Sequence, residues 1–339
     1  MKIRIRLAAT AFAMSGAGLA CAQGTVNVIC SVQIEWCQAI ATEYQKATGV
    51  KVAMVQKGSG EALAQIAAEA ANPRTDLWFG GTGDPHLQAA ERGLTLEYRS
   101  ANLGQLHDWA RRQSDQSGGK TVGVYMGALG FGFNTEVLDK KKIKAPACWS
   151  DLTRPEFKGE IQMANPASSG TAYTAIATLV QVMGEEKAFE YLRALHQNVG
   201  QYPKSGTAPV KNVARGEATV SVSFIHDAVT EALGGFPVKS STPCEGTGYE
   251  IGSMSIVKGA RNLDATKKLY DWALTAPAQE LGAAHKQFQI PSNKSAKVHA
   301  LVPDFSKIKL IAYDSAKYGA SAERKRLLDR WERDVNSAK

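Results

Sequence analysis

Apolar and polar positions fall into short blocks whose period switches between two residues and three to four. TVNVICS (25–31) is rich in β-branched and apolar residues and predicts a buried strand. In IEWCQAIATEYQKATG (34–49), Trp36, Ile40, Tyr44 and Ala47 recur on one helical face, and Gly49 supplies the stop. VKVAMVQ (50–56) predicts a second strand and SGEALAQIAAEAANP (59–73) a helix ending before Pro73. TDLWFGG (75–81) predicts a third strand that ends in glycines. Repeated strand–helix–strand alternation implies an α/β architecture, a mostly parallel sheet with helices on both faces.

The later chain repeats the theme. TVGVYMGALGFGFNTEVL (121–138) alternates apolar residues with four glycines and predicts a strand pair; GYEIGSMSIVKGA (248–260) predicts another. EIQMANP (160–166) reads as a strand entering a loop, and SSGTAYTAIATLVQVMG (168–184) as a helix starting at Ser168/Ser169. EKAFEYLRALHQNVG (186–200) is a further helix, and ATVSVSFIHDAVTEALGG (218–235) a strand leading into one. Residues 262–285 read as helical with a break at Pro277. Residues 322–338 form an amphipathic helix with Leu327, Leu328, Trp331 and Val335 inward. Sheets of this kind bind ligands beyond the C-terminal ends of their strands. The loops after Ser31, Gln56, Phe79, Asn165 and Ile225 are therefore the candidate contacts.

The first residues change the picture. Lys2, Arg4 and Arg6 precede an apolar stretch, Leu7 to Leu19, and Ala20-Cys21-Ala22 is an A-x-A cleavage site. This predicts a signal peptide over 1–22, a mature chain from Gln23 and a periplasmic destination. The formal net charge is +8; those three basic residues leave the remainder at +5, mildly basic and evenly spread. No basic cluster interleaved with aromatics suggests nucleic acid, and Lys140-Lys141-Lys142 reads as a solvated helix end. Cys30, Cys37, Cys148 and Cys244 suit two disulfides in an oxidising compartment. Three pairings are open; the local Cys30–Cys37 bond would leave Cys148–Cys244 to staple distant segments. A mature chain of this length favours two domains.

The motifs of common catalysts are missing. There is no G-x-S-x-G elbow, H-E-x-x-H pair or G-x-G-x-x-G loop, and SDQSGGKT (114–121) lacks the first glycine of a phosphate-binding loop. No catalytic residue, metal site or cofactor is expected. Asn165-Pro-Ala-Ser168-Ser169-Gly170-Thr171 instead sets hydroxyls at a helix mouth, where free N–H groups and the dipole favour an anion. Lys57-Gly58-Ser59-Gly60 opens another helix in the same way, and Gly80-Gly81-Thr82-Gly83 and Ser205-Gly206-Thr207 are two further loops of Gly with Ser or Thr. His226-Asp227 ends a strand and opens a helix, a grip for a ligand or, through Asp227, a helix cap.

TDLWFGG, LGFGFNTEVL, CWSDLTRPEFKGEIQMANPASSGTAYT, FIHDAVTEALGGFPV and PCEGTGYEIGSMSIVKGARN together resemble the periplasmic solute-binding proteins of ABC importers, in the branch related to ferric-iron-binding proteins. The resemblance covers nearly all of the mature chain. It implies a type II two-domain α/β fold closing over a ligand, and an ABC permease with its ATPase as partners of a monomer. Iron-binding members carry adjacent tyrosines where this chain has Phe224, Ile225, His226 and Asp227. His-Asp followed by GTGYE is closer to members that bind sugar phosphates. Carried over, His226, Asp227 and Glu250 face the hydroxyl end, and Ser31, Ser59, Ser168, Ser169 and Thr171 the anion. Gly60, Gly81, Thr82 and Gly170 complete the candidate set. The domain boundaries expected are 23–125 and 247–300 for the first domain, 126–246 for the second, and 301–339 for a C-terminal helical segment. A ferric-iron binder, a binder of an aminophosphonate or polyamine, and an exported phosphatase or hydrolase are the alternatives.

Overall fold

A computed structural model describes residues 24–337, so the signal peptide and its cleavage point lie outside the described residues. The first run is β1 (Val26–Cys30), α1 (Ile34–Thr48), β2 (Val52–Gln56), α2 (Ser59–Ala68), β3 (Leu77–Phe79) and α3 (Gly83–Glu91). Then come α4 (Asp108–Gln116), β4 (Val122–Asn134), α5 (Thr135–Lys141), β5 (Ile161–Met163), α6 (Gly170–Met183), α7 (Glu185–His196) and β6 (Val199–Gln201). The chain continues through α8 (Ala208–Ala214), β7 (Val220–Phe224), α9 (Ile225–Leu233), β8 (Val238–Ser241) and β9 (Tyr249–Ile256). It ends with α10 (Leu263–Ala273), α11 (Ala276–Ala284), β10 (Ile290–Pro291), α12 (Ser315–Tyr318) and α13 (Ser321–Trp331).

Two parallel sets, β2-β1-β3 and β7-β5-β6, are joined by antiparallel β9 and β4. The residues separate into two large cores. Val28, Trp36, Ile40, Tyr44, Phe79 and Ile256 belong to the first; Trp149, Phe157, Tyr173, Phe189 and Val222 to the second. β4 runs from one to the other: Val122, Val124 and Tyr125 enter the first core, Leu129, Phe131 and Phe133 the second. Burial of apolar side chains supplies the driving force on each side, and the two lobes meet along β4 and β9.

Several local expectations need correction. Residues 121–138 do not form a strand pair: β4 is one strand of 13 residues, and its glycines lie under packed side chains rather than at a turn. β9 is likewise a single strand. Ala47 is exposed at the solvent end of α1 rather than on its buried face, whereas α2 does end before Pro73, at Ala68. Asp227 does not cap α9. That helix starts at Ile225 with Phe224 as its N-cap, which places Asp227 inside the first turn. Gly49 does stop α1, in the left-handed region (φ 75°), donating its N–H to Gln45 O at 2.8 Å. Cys30 is bonded to Cys37 and Cys148 to Cys244. No helix among the described residues is long and apolar enough to cross a membrane.

Candidate functional site

The ends of β1, β2, β3, β5, β6 and β7 feed one cleft between the lobes. A cavity of about 180 Å³ there is lined by Ser31, Ser59, Gly81, Thr82, Ser169, Gly170, Thr171, His226, Asp227 and Glu250. Ten of the twelve residues expected from the sequence thus meet in one place. Gly60 and Ser168 do not line it. Gly60 donates its N–H to Ser168 O at 3.0 Å, and a Cβ on Gly60 would sit 2.3 Å from Ala167 O. Only glycine lets these two backbones touch. The Ser168 hydroxyl turns away to Lys204 O, 2.9 Å.

Helix starts supply one part of the cleft. α2 begins at Ser59, α3 behind Thr82 and α6 behind Ser169, whose Oγ accepts from Ala172 N. Three positive dipole ends and their hydroxyl residues therefore border the same cavity. The Ser59 Oγ accepts from Thr82 N at 3.1 Å, and the Ser31 Oγ from Trp78 Nε1 at 2.9 Å. Across the cleft, a Cβ on Gly206 would lie 2.3 Å from Thr171 Oγ1 and 2.9 Å from Ser169 Oγ. Lys57 adds a cation and Glu61 a carboxylate, the latter accepting from Gly58 N at 3.2 Å.

Buried ionisable groups supply the other part. His226, Asp227 and Glu250 are each at most 5 % exposed. His226 Nε2 stands 3.6 Å from Asp227 Oδ1 and 4.0 Å from Glu250 Oε1. Burial lowers the His226 pKa to about 3, which keeps the ring neutral. Burial raises Asp227 to about 7, opposed by a hydrogen bond from Gln33 Nε2 to its Oδ1 at 2.7 Å. Glu250 is pushed well above the ordinary range by burial and then by the Asp227 charge. Gly127 makes room for the group: a Cβ there would lie 2.6 Å from His226 Cε1 and 3.2 Å from Glu250 Oε1.

Four polar atoms that line this cavity are buried without a hydrogen-bond partner: Gln33 Oε1, Thr82 Oγ1, His226 Nδ1 and Gln289 Oε1. Buried polar groups are normally paired, because an unmade bond costs about 1–3 kcal/mol. On the wall of a cleft, such groups can take a polar molecule as their partner. Gln33, Tyr125 and Gln289 were not among the residues expected. Gln33 stands two residues beyond Ser31 in a loop already singled out, so its place was within reach of the sequence. Tyr125 and Gln289 come from the first part of β4 and the approach to β10, and nothing local distinguishes them. Trp36 stays out, packed in the first core with ring centroids 5.6 Å from Phe79 and 5.3 Å from Tyr125.

An uncharacterized protein of Haemophilus influenzae is 46% identical over 343 residues, which cover 100% of this chain and 98% of that one. The periplasmic binding protein AfuA from Actinobacillus pleuropneumoniae, solved with exogenous fructose-6-phosphate bound, superposes with a TM-score of 0.91 at 47% identity. The match covers 93% of this chain and all of AfuA. The periplasmic binding protein P5PA superposes with a TM-score of 0.88 at 43% identity, over 92% of this chain and 99% of that one. The pattern that defines a family of bacterial extracellular solute-binding proteins matches residues 81–317, most of the chain, and this protein belongs to that family.

Proposed function

We propose that the protein is the periplasmic solute-binding component of an ABC importer and that it closes on a phosphorylated sugar or similar organophosphate. The observation that carries this reading is the make-up of the cleft. Three helix starts with hydroxyl residues border the same cavity as a buried imidazole and two buried carboxyls. Hydroxyls and amides grip a phosphate without burying a permanent counter-charge, which leaves the solute releasable to a permease. Carboxyl and imidazole groups accept hydrogen bonds from sugar hydroxyls. The similarity to AfuA with fructose-6-phosphate supports the same class. The lobe boundaries we propose are 23–125 with 247–300 for the first, and 126–246 for the second. Residues 301–339 then form an appended segment. The partners are a permease and its ATPase, and no bond is made or broken in the cleft.

The chemistry of the site disfavours the alternatives. Ferric iron favours phenolate oxygens, yet Tyr125 is the cleft's one tyrosine and burial raises its pKa well above the ordinary value. Among the described residues, one trio of His, Cys, Asp or Glu brings its donor atoms within 4.8 Å of one another. It is Cys148, Cys244 and Glu245, whose cysteines are spent on their disulfide. An ammonium ligand would favour an aromatic cage, whereas the rings on the cavity are Tyr125 and Phe224, the latter stacked on His226 at 5.7 Å. A hydrolase would need His226 as a base, and burial holds its pKa too low for that role.

The test is a melting panel on the mature protein with glucose 6-phosphate, fructose 6-phosphate, inorganic phosphate, ferric citrate, 2-aminoethylphosphonate and spermidine. A solute present at a hundred times its Kd stabilises by about 2.7 kcal/mol. The hexose phosphates should raise Tm clearly and inorganic phosphate weakly. A rise with ferric citrate or spermidine alone would overturn the assignment.

A further inference from the structure

The C-terminal segment is rooted in the second lobe, but its polar contacts reach the first. Tyr318, Leu327, Trp331 and Val335 are buried in the second core. Thr247 N donates to Lys309 O, and Ile311 N to Thr247 O, both at 2.9 Å, so Leu310 forms a parallel bridge with Thr247 beside the approach to β9. Arg324, 6 % exposed, stacks 4.6 Å over the Tyr173 ring and donates to Pro166 O and Ala167 O at 3.3 Å each.

From that root three hydrogen bonds cross to the first lobe. The Tyr313 hydroxyl donates to Asp84 Oδ2 at 2.9 Å, the Ser315 hydroxyl to Gln116 Oε1 at 2.9 Å, and Ser321 N to Glu91 Oε2 at 2.7 Å. Asp84 and Glu91 stand near the two ends of α3, whose N-cap, Thr82, lines the solute cleft. Leu87, between them, packs so close to Gly319 that a Cβ there would come within 2.7 Å of its Cδ1. A small cavity lined by Thr82, Asp84, Thr174, Glu250 and Tyr313 lies between these contacts and the cleft. Asp84 is 6 % exposed, facing Tyr313 and Arg324.

The main-chain bond from Gly60 N to Ser168 O and the side-chain bond from Gln33 Nε2 to Asp227 Oδ1 both span the cleft, so the lobes are together here. In this closed arrangement the same helix, α3, is held from both ends of its function. Its N-terminus presents Thr82 to the solute and its outer face is gripped by the segment. Parting the lobes would break the three crossing bonds at once and return Asp84 to water.

We propose that residues 309–324 are a latch, which grips α3 through Tyr313–Asp84 and Ser321–Glu91 and the end of α4 through Ser315–Gln116 when the cleft shuts, and so sets how long the closed form lasts. Tyr313 and Asp84 are then positioning residues, acting on the solute through Thr82. The inference rests on the reading that the protein closes on a solute, and is independent of which solute that is.

The experiment needs no solute. Spin labels on Lys46→Cys and Lys187→Cys, exposed positions on α1 and α7, report the distance between lobes, and the described native cysteines are all disulfide-bonded. Tyr313→Phe should lower the ratio of closed to open protein roughly fivefold, as expected for one buried hydrogen bond. Asp84→Asn should act in the same direction. Arg326→Ala removes ion pairs to Glu185 and Glu323 within the second-lobe side of the segment. It should lower Tm without moving the distances. If Tyr313→Phe compromises folding, Ser315→Ala, at the surface, carries the test. Distances unchanged in Tyr313→Phe and Ser315→Ala would overturn the latch. A wrong sugar-phosphate assignment would leave this readout untouched and appear in the melting panel alone.

Discussion

Asp227→Asn should bind fructose 6-phosphate between about ten and a hundred times more weakly than the native protein at pH 7.5, measured by calorimetry. The carboxyl is buried, and its Oδ1 already accepts from Gln33. Oδ2 is the oxygen left to accept from a solute hydroxyl. A hydrogen bond to a charged acceptor contributes about 1.5–3 kcal/mol, and it is present only in the complex. The amide keeps the volume and the Gln33 bond but turns an acceptor into a donor or a weaker acceptor. Unchanged affinity would remove Asp227 from the contact set and with it the proposed hydroxyl end of the cleft.

The same substitution should stabilise the solute-free protein at high pH. Burial raises the folded pKa of Asp227 from 3.8 to about 7, so the folded state holds this proton more tightly than the unfolded chain does. The neutral carboxyl costs nothing extra below pH 4. Stability is lost as pH climbs from there through 7, because ionisation is easy only in the unfolded chain. Asparagine does not ionise, so Tm of Asp227→Asn should exceed the native value by about 2 °C or more at pH 8 and match it near pH 4. His226 acts with the opposite sign: its pKa falls from 6.5 to about 3, and its contribution is lost as pH drops between those values. Comparing the two proteins at each pH cancels that term. Solute hydroxyls favour the ionised carboxyl, so affinity for the sugar phosphate should rise with pH up to about 7 and then level. A residue held for stability alone would lose both affinity and Tm when changed; one held for binding trades the second for the first.

The first lobe's alternation was legible because β1 through β3 are local strand–helix–strand units, and each element announces itself by its own period. β4 and β9 were misread because glycine in a strand gives the same local signal as glycine in a turn. What keeps β4 straight is pairing with β7, β8 and β9, segments far away in the chain. α3 was hidden in GGTGDPH, which reads as a loop, although Pro85 in a first turn is compatible with a helix. The cleft itself was well marked. Strand ends feeding Ser, Thr and Gly loops are visible without coordinates, whereas the roles of His226, Asp227 and Glu250 came from the family resemblance; ten of the twelve residues gathered in these two ways border one cavity. Ser168 was indistinguishable from Ser169 in sequence. The backbone gives Ser169 the N-cap and aims Ser168 at Lys204. Asp227 is no cap, because β7 ends at Phe224, which takes the N-cap three residues before it and leaves Asp227 buried in the first turn.

Removing the Cys148–Cys244 bond should have the largest effect on stability. The two cysteines are 96 residues apart, and closing a loop of that length in the unfolded chain is worth about 4–5 kcal/mol in the chain-entropy account. Cys30–Cys37 spans 7 residues and should contribute only about 2 kcal/mol. The long bond does not act alone. Glu245 accepts from Trp149 N and Ser150 N at 2.8 and 3.1 Å, the Trp149 indole donates to Gly246 O at 3.1 Å, and Cys244 N donates to Ala147 O at 2.9 Å. Those bonds hold the same junction in the folded state, so a paired Cys148→Ala, Cys244→Ala protein should fold to the same structure and bind the same solute. Its loss should appear in urea unfolding as a lower midpoint, with a slope that rises as the unfolded chain expands. Both ends of the bond pack on the second lobe around Trp149, which is fully buried against Phe131. The bond therefore stiffens one lobe and leaves the motion of the lobes free. Solute affinity within about twofold of native would fit that placement. A loss of affinity as large as that of Asp227→Asn would instead mean that the bond sets the angle at which β9 enters the cleft.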